Sequence, residues 1–167
     1  MKNYVLLIPL FLLIAGCENE KFGLKMDGIN ETRKVFPIEK EFVIIDIDKK
    51  AYNIYTRDTK DEFKDALDDA LIKSGIFDGL NRKKANIIAE ITNFSYSNFM
   101  QNIRISITYY IKDYKDGSVI YKDSISTHVK IHSINGIEPT RRAFDLNIVE
   151  FIKNMENSKM ASQRSVE

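Results

Sequence analysis

The run Asn102-Ile103-Arg104-Ile105-Ser106-Ile107-Thr108-Tyr109-Tyr110-Ile111-Lys112 decides the fold. Ile103, Ile105, Ile107, Tyr109 and Ile111 alternate with polar neighbours, a period of two that sends successive side chains to opposite sides of a β-strand. One side is core and the other is polar. The run ends in Lys115-Asp116-Gly117-Ser118, a hairpin turn in which Gly accepts positive φ, and Val119, Tyr121, Ile125, Thr127, Val129 and Ile131 carry the alternation back. Asp123 interrupts that apolar set, and a bulge would accommodate it. A hairpin that is apolar on one face needs a second layer over that face.

Outward from the hairpin, Ala85 to Tyr96 reads as a third strand with the same period. Phe42-Val43-Ile44-Ile45-Asp46-Ile47 is a β-branched run suited to a strand buried on both faces, and Ala51 to Thr56 extends it or forms a short strand. Thr59-Lys60-Asp61-Glu62 has the capping-box pattern that starts a helix. Phe63, Ala66, Leu67, Ala70 and Leu71 follow at helical spacing, with Lys64, Asp65, Asp68, Asp69 and Lys73 on the other side and Gly75 as a stop. A closing helix starts around Pro139-Thr140 and carries the stripe Phe144, Ile148, Phe151, Ile152 and Met155. The order is strand, helix, three strands, helix. It predicts an α+β two-layer domain over residues 41–155, a largely antiparallel sheet of about four strands with two amphipathic helices on one face.

The 167 residues suit one domain with tails, and 44% hydrophobic content with three Pro and seven Gly excludes collagen and long low-complexity disorder. The formal charge of +1 falls to zero once residues 1–16, with Lys2 as their only charge, are set aside. That balance argues against a nucleic-acid binder that works by phosphate neutralisation. At the N-terminus, Met1-Lys2-Asn3 precedes an apolar run from Tyr4 to Gly16, too short to span a bilayer as an ordinary helix. It reads as an export signal. Residues 17–40 read as a polar tether, on which Val35-Phe36-Pro37-Ile38 is apolar enough to pack on the domain, and residues 156–167 read as a polar tail.

Chemistry is sparse. His128 and His132 stand four apart on a strand, about 13 Å from one another, too far to share a metal ion. Asp46 and Asp48 point the same way on a strand and make a candidate carboxylate pair, with a charged strand end as the plainer reading. Asp113-Tyr114-Lys115-Asp116-Gly117 fails as a calcium loop because Lys fills a ligand position. Arg82-Lys83-Lys84 and Arg141-Arg142 are short basic clusters, either solvated charge or contacts for anionic lipid or lipopolysaccharide phosphates. The polar side of the hairpin is the broadest candidate surface. There Arg104, Thr108, Tyr110 and Lys112 stand beside Lys122, His128 and Lys130, a face for recognition or merely for solvent.

Ile14-Ala15-Gly16-Cys17 resembles the bacterial lipobox. The resemblance implies cleavage before Cys17, acyl chains on its thiol, and stable anchoring on a membrane. As the sole cysteine, Cys17 then leaves no thiol for a disulfide, zinc or nucleophile. Glu18 is not the Asp associated with inner-membrane retention in enteric bacteria, which favours the outer membrane, facing the periplasm. The elements from Phe63 to Phe77, Ala85 to Ile91, and Ile107-Thr108-Tyr109-Tyr110-Ile111 with the Asp116-Gly117 turn and Val119-Ile120-Tyr121 resemble small envelope lipoproteins. Those are the lipopolysaccharide-transport accessory, ABC-transport auxiliary and penicillin-binding-protein activator lipoproteins. What they imply is a membrane-anchored, non-enzymatic accessory protein with an envelope protein partner and no cofactor, metal or nucleic acid. Two competing expectations are an envelope hydrolase using Asp46 and Asp48, and a lipid- or glycan-binding lipoprotein.

Overall fold

A computed structural model describes residues 29, 31–32, 34–77, 83–97, 102–130, 137–160 and 162–163. The elements are β1 (Lys34–Val35), β2 (Glu39–Ile47), α1 (Ile54–Asp58), α2 (Lys60–Ser74), β3 (Lys84–Ser97), β4 (Asn102–Asp113), β5 (Val119–Lys130), α3 (Ile137–Asn157) and β6 (Ser162–Gln163). Four strands form one sheet in the order β2-β3-β4-β5. The chain is an α+β domain, as its periodicity predicts. The sheet is mixed: β3, β4 and β5 are antiparallel neighbours, while β2 runs parallel to β3 through the helical crossover of α1 and α2.

Alternation along β4 sets the two faces. Ile103, Ile105, Ile107, Tyr109 and Ile111 are fully buried, and so are Ala85, Ile87, Ala89 and Ile91 of β3 on the same side. Each buried isoleucine contributes about 2–3 kcal/mol of transfer free energy. Against them α2 lays Phe63, Ala66, Leu67, Ala70 and Leu71, all buried, and α3 lays Phe144, Ile148, Phe151, Ile152 and Met155. The two helices meet at Phe63 and Phe144, whose ring centroids are 4.6 Å apart.

One polar network sits inside this core. The Tyr109 ring stacks on Phe151 with centroids 3.9 Å apart and planes 8° apart. Its hydroxyl donates to Asn147 Oδ1 at 2.8 Å, and Asn147 Nδ2 donates to the Ile125 carbonyl at 3.2 Å. The Thr127 hydroxyl donates to the Ala143 carbonyl at 3.0 Å. Tyr109 and Asn147 are fully buried, so these bonds fix the rotation and axial position of α3 on β4 and β5 by the cost of leaving them unmade.

Several local expectations are corrected. Residues 51–56 do not extend the strand: Asn53 caps α1, its Oδ1 accepting from the Tyr55 and Thr56 N–H groups while Thr56 Oγ1 accepts from the Asn53 N–H. The capping box thus lies six residues before Thr59. Thr59 joins α1 to α2 with helical backbone angles, and its hydroxyl donates to the Tyr55 carbonyl at 2.6 Å. At the other end of α2, Gly75 takes φ 57°, the left-handed stop its position implies. Asp123 is no bulge: it pairs in register with Tyr109 and accepts from Asn154 Nδ2 at 2.8 Å, while the register shift falls beside Ile111 and Lys112.

The strand β2 is buried on one face only. Val43 and Ile45 are in the core, but Phe42 and Ile44 point outward, 55% and 44% exposed, because β2 is an edge strand with both helices on its other side. The domain is also wider than residues 41–155. Phe36 is fully buried, its N–H donating to the Ile76 carbonyl at 2.6 Å and its ring 5.6 Å from that of Tyr121. Val35 pairs with Ser162, so the end of the expected tether and part of the expected tail close on one another. The apolar stretch Val35-Phe36-Pro37-Ile38 is what ties them in, with Val35, Phe36 and Ile38 all buried.

The buried network generates a stability test. Tyr109→Phe strands the Asn147 oxygen and is expected to cost about 1–3 kcal/mol in urea denaturation. Asn147→Ala strands the phenol and opens a small cavity, costing about 2–4 kcal/mol. The double variant should lose less than the two losses added, the mark of a shared bond.

Candidate functional site

The outer face of the sheet carries the sequence-predicted recognition residues, and the strand register arranges them in rows. Nearest the β4–β5 turn, Val119 stands beside Lys112, and the next row reads Lys122, Tyr110, Ile88, Ile44. Both lysines lie over the Tyr110 ring, Lys112 Nζ at 5.3 Å and Lys122 Nζ at 5.1 Å from its centroid. The Tyr110 hydroxyl donates to Glu90 Oε2 at 3.2 Å. Two rows of hydroxyls follow: Thr108 and Ser124 oxygens are 3.0 Å apart, and those of Ser106 and Ser126 are 2.8 Å apart. Farthest from the turn, Arg104 pairs in register with His128, and Asn102 with Lys130.

The face therefore has an aromatic and lysine-bearing end, a hydroxyl middle and a basic far end. Arg104, Lys122, His128 and Lys130 are exposed, and Tyr110 and Lys112 are half-buried. Thr108 is buried at 8% exposure, because it stands on a central strand between bonded neighbours, and so presents less than its position in the sequence suggested. Sequence reasoning missed Phe42, Ile44 and Tyr114 on this surface. The β-branched composition of β2 hid which of its sides faces out.

Other candidates serve local structure. Asp46 accepts from the Ile47 N–H at 2.9 Å, and Asp48, beyond the end of β2, accepts from the Lys50 N–H at 2.8 Å, so each holds nearby backbone. Lys83 pairs with Asp113 at 3.4 Å, Lys84 with Glu41, and Arg141 with Glu62 at 3.2 Å. Asp113 and Asp116 accept from the Lys115 and Ser118 N–H groups inside the turn, where Gly117 has φ 72°. No group of three His, Cys, Asp or Glu residues able to hold a metal ion occurs among the described residues. No helix among them is long and apolar enough to cross a membrane. Cys17, Arg82 and His132 lie outside the described residues.

The largest titration shifts lie on the helix side instead. Burial, with a smaller contribution from Asp123, raises the Tyr109 phenol well above its ordinary range and pushes Tyr121 up to about 12. Burial raises Asp145 to about 6, against the opposing pull of Arg141, and its Oδ1 has no hydrogen-bond partner. These shifts accompany core packing rather than a cleft.

No protein-family model matches the chain, and neither does any curated protein. Solved structures share the fold. PelC from Paraburkholderia phytofirmans, solved as a dodecamer, is 12% identical with a TM-score of 0.55, over 78% of this chain and 95% of that one. Protein XCC0632 of Xanthomonas campestris, of the family DUF330, is 10% identical with a TM-score of 0.51, over 75% of this chain and 86% of that one. Protein CT253 of Chlamydia trachomatis is 12% identical with a TM-score of 0.53, over 71% of this chain and 96% of that one. At such identities the likeness is one of fold alone.

Asp145 gives a pH test. Its folded pKa of about 6 stands above the ordinary 3.8, so its stabilising contribution is complete below the ordinary value and is lost as pH rises through 6. Asp145→Asn should stabilise the fold at pH 8 by no more than about 1 kcal/mol once solvent screening is counted, read as a higher melting temperature, and give no gain at pH 4.

Proposed function

We propose that the chain is a membrane-anchored, non-enzymatic lipoprotein of the bacterial cell envelope that acts by binding a protein partner through the outer face of its sheet. The observation that carries the reading is that both long helices cover one face and leave the other open, with Arg104, His128 and Lys130 exposed above an ordered hydroxyl ladder. The anchor is supported by the sequence before the domain, where a short positive segment and an apolar run lead into Ile14-Ala15-Gly16-Cys17. Two or more acyl chains on Cys17 would hold the protein on a bilayer, and Glu18 favours the outer membrane. Asp46 and Asp48 each accept one nearby backbone N–H, as charged groups at a strand end do.

The open face suits a lipid-transport or envelope-assembly component, which needs a fixed site of contact more than a reactive one. Self-assembly is a second reading, favoured by the dodecamer in which PelC was solved. One experiment separates these. A photo-reactive residue at Ser126 should cross-link one envelope species in stoichiometric amount, or a second copy of the chain if the surface self-assembles, and one at Lys64 on α2 should cross-link neither. Labelled palmitate should enter the wild-type chain and not Cys17→Ala. Equal cross-linking from Ser126 and Lys64, or palmitate in the Cys17→Ala chain, would overturn the reading.

A further inference from the structure

The end of the sheet at which the chain enters the fold is built from four surfaces that meet. The Glu39 N–H donates to the Lys83 carbonyl at the start of β3, and the Tyr114 N–H donates to the Lys84 carbonyl, so the starts of β2 and β3 and the β4–β5 turn share one end. The Thr32 N–H donates to the Ser74 carbonyl at the end of α2, which fixes the incoming segment at that same end. Cys17 lies seventeen residues before Lys34, a separation over which a flexible linker would have a mean reach of about 20–25 Å. Whatever membrane holds Cys17 is thus close to this end of the domain.

The same end is where the outer face stops being polar. Phe42 is 55% exposed, Tyr114 51% and Val119 53%, and the Phe42 and Tyr114 rings are in contact, 6.4 Å between centroids. Ile44 continues the patch one row inward. Lys112 and Lys122 stand at its border, both ammonium groups over the Tyr110 ring at 5.3 and 5.1 Å from its centroid. Of the carboxylates around the patch, Glu41 pairs with Lys84 and Asp113 with Lys83, while Asp116 accepts the Ser118 N–H and Glu90 the Tyr110 hydroxyl. Exposed aromatic and branched side chains rimmed by lysines match a headgroup layer over an acyl boundary, with the rings at the interface and the ammonium groups on phosphates.

We infer that this patch seats on the phospholipid bilayer that anchors the chain, so that Phe42, Tyr114 and Val119 enter the interface and the basic far end of the face points away from the membrane. The inference rests on the proposed anchor for the direction from which the bilayer arrives. It goes further in fixing the domain's orientation and in dividing the open face between lipid at one end and protein at the other.

The chain contains no Trp, so one substitution gives an unambiguous reporter. Full-length Phe42→Trp, recovered from membranes, is reconstituted in vesicles of phosphatidylethanolamine and phosphatidylglycerol with a fraction of lipid bearing brominated acyl chains. The indole should emit to the blue and lose about half or more of its intensity to the bromines, as expected for a ring about 5–10 Å deep at the interface. Val119→Trp should behave alike, whereas Tyr52→Trp, 60% exposed beyond the other end of β2, should keep water-like, unquenched emission. Water-like emission from both patch variants, or equal quenching of all three, would overturn the inference. Flotation of the same samples keeps the two readings apart. A chain that floats with a wet indole at position 42 removes the docking alone, and a chain that does not float removes the anchor and the docking together.

Discussion

Burial of one side of β4 is the constraint from which the rest follows. Five alternate residues, Ile103 to Ile111, cannot face water without losing roughly 10 kcal/mol of transfer free energy, and two helices are the cover that the topology supplies. The Tyr109 phenol turns this nonspecific demand into one geometry. Its stacking on Phe151 and its bond to Asn147 allow α3 one rotation and one height, since any slip would leave a fully buried donor or acceptor unpaired. With both helices committed to that side, the opposite face of the sheet is left open among the described residues.

Much of this was legible in the chain itself. Periodicity of two in β3, β4 and β5 and the stripe of α2 identify elements because burial is one-sided in each, and the alternation of β4 also separates the candidate surface from the core. Other features needed the three-dimensional arrangement. Phe42-Val43-Ile44-Ile45 has no polar residue to reveal which side faces out, so its role as a parallel edge strand is set by the crossover rather than by composition. Thr59 looks like a cap because Glu62 follows at the right spacing, but Asn53 starts the helical path earlier and Glu62 takes Arg141 as its partner. The pairing of Val35 with Ser162 joins residues too distant in sequence for any local pattern to link.

The open face gains meaning from where the chain enters it. The aromatic and lysine-bearing rows lie beside the incoming segment, and the row of Arg104 and His128 lies at the far end of the same strands. On the proposed reading, a domain tethered at one end and offering contacts at the other would hold a partner at a set height above a bilayer. That is a mechanical role, and it asks for a stiff sheet with a well-fixed helical layer rather than for a reactive group. The hydroxyl ladder of Ser106, Thr108, Ser124 and Ser126 links β4 and β5 through the middle of the face and so lends that stiffness.

The central claim is that the outer side of the sheet, open among the described residues, is covered in the envelope. Amine-reactive labelling of the lysines, in the purified protein and again in intact envelope membranes, tests this directly. Lys122 and Lys130 on the outer face should label several-fold less in the membranes, while Lys64 and Lys73 on α2 label alike in both. Equal labelling of Lys122 and Lys130 in the two states would contradict the account.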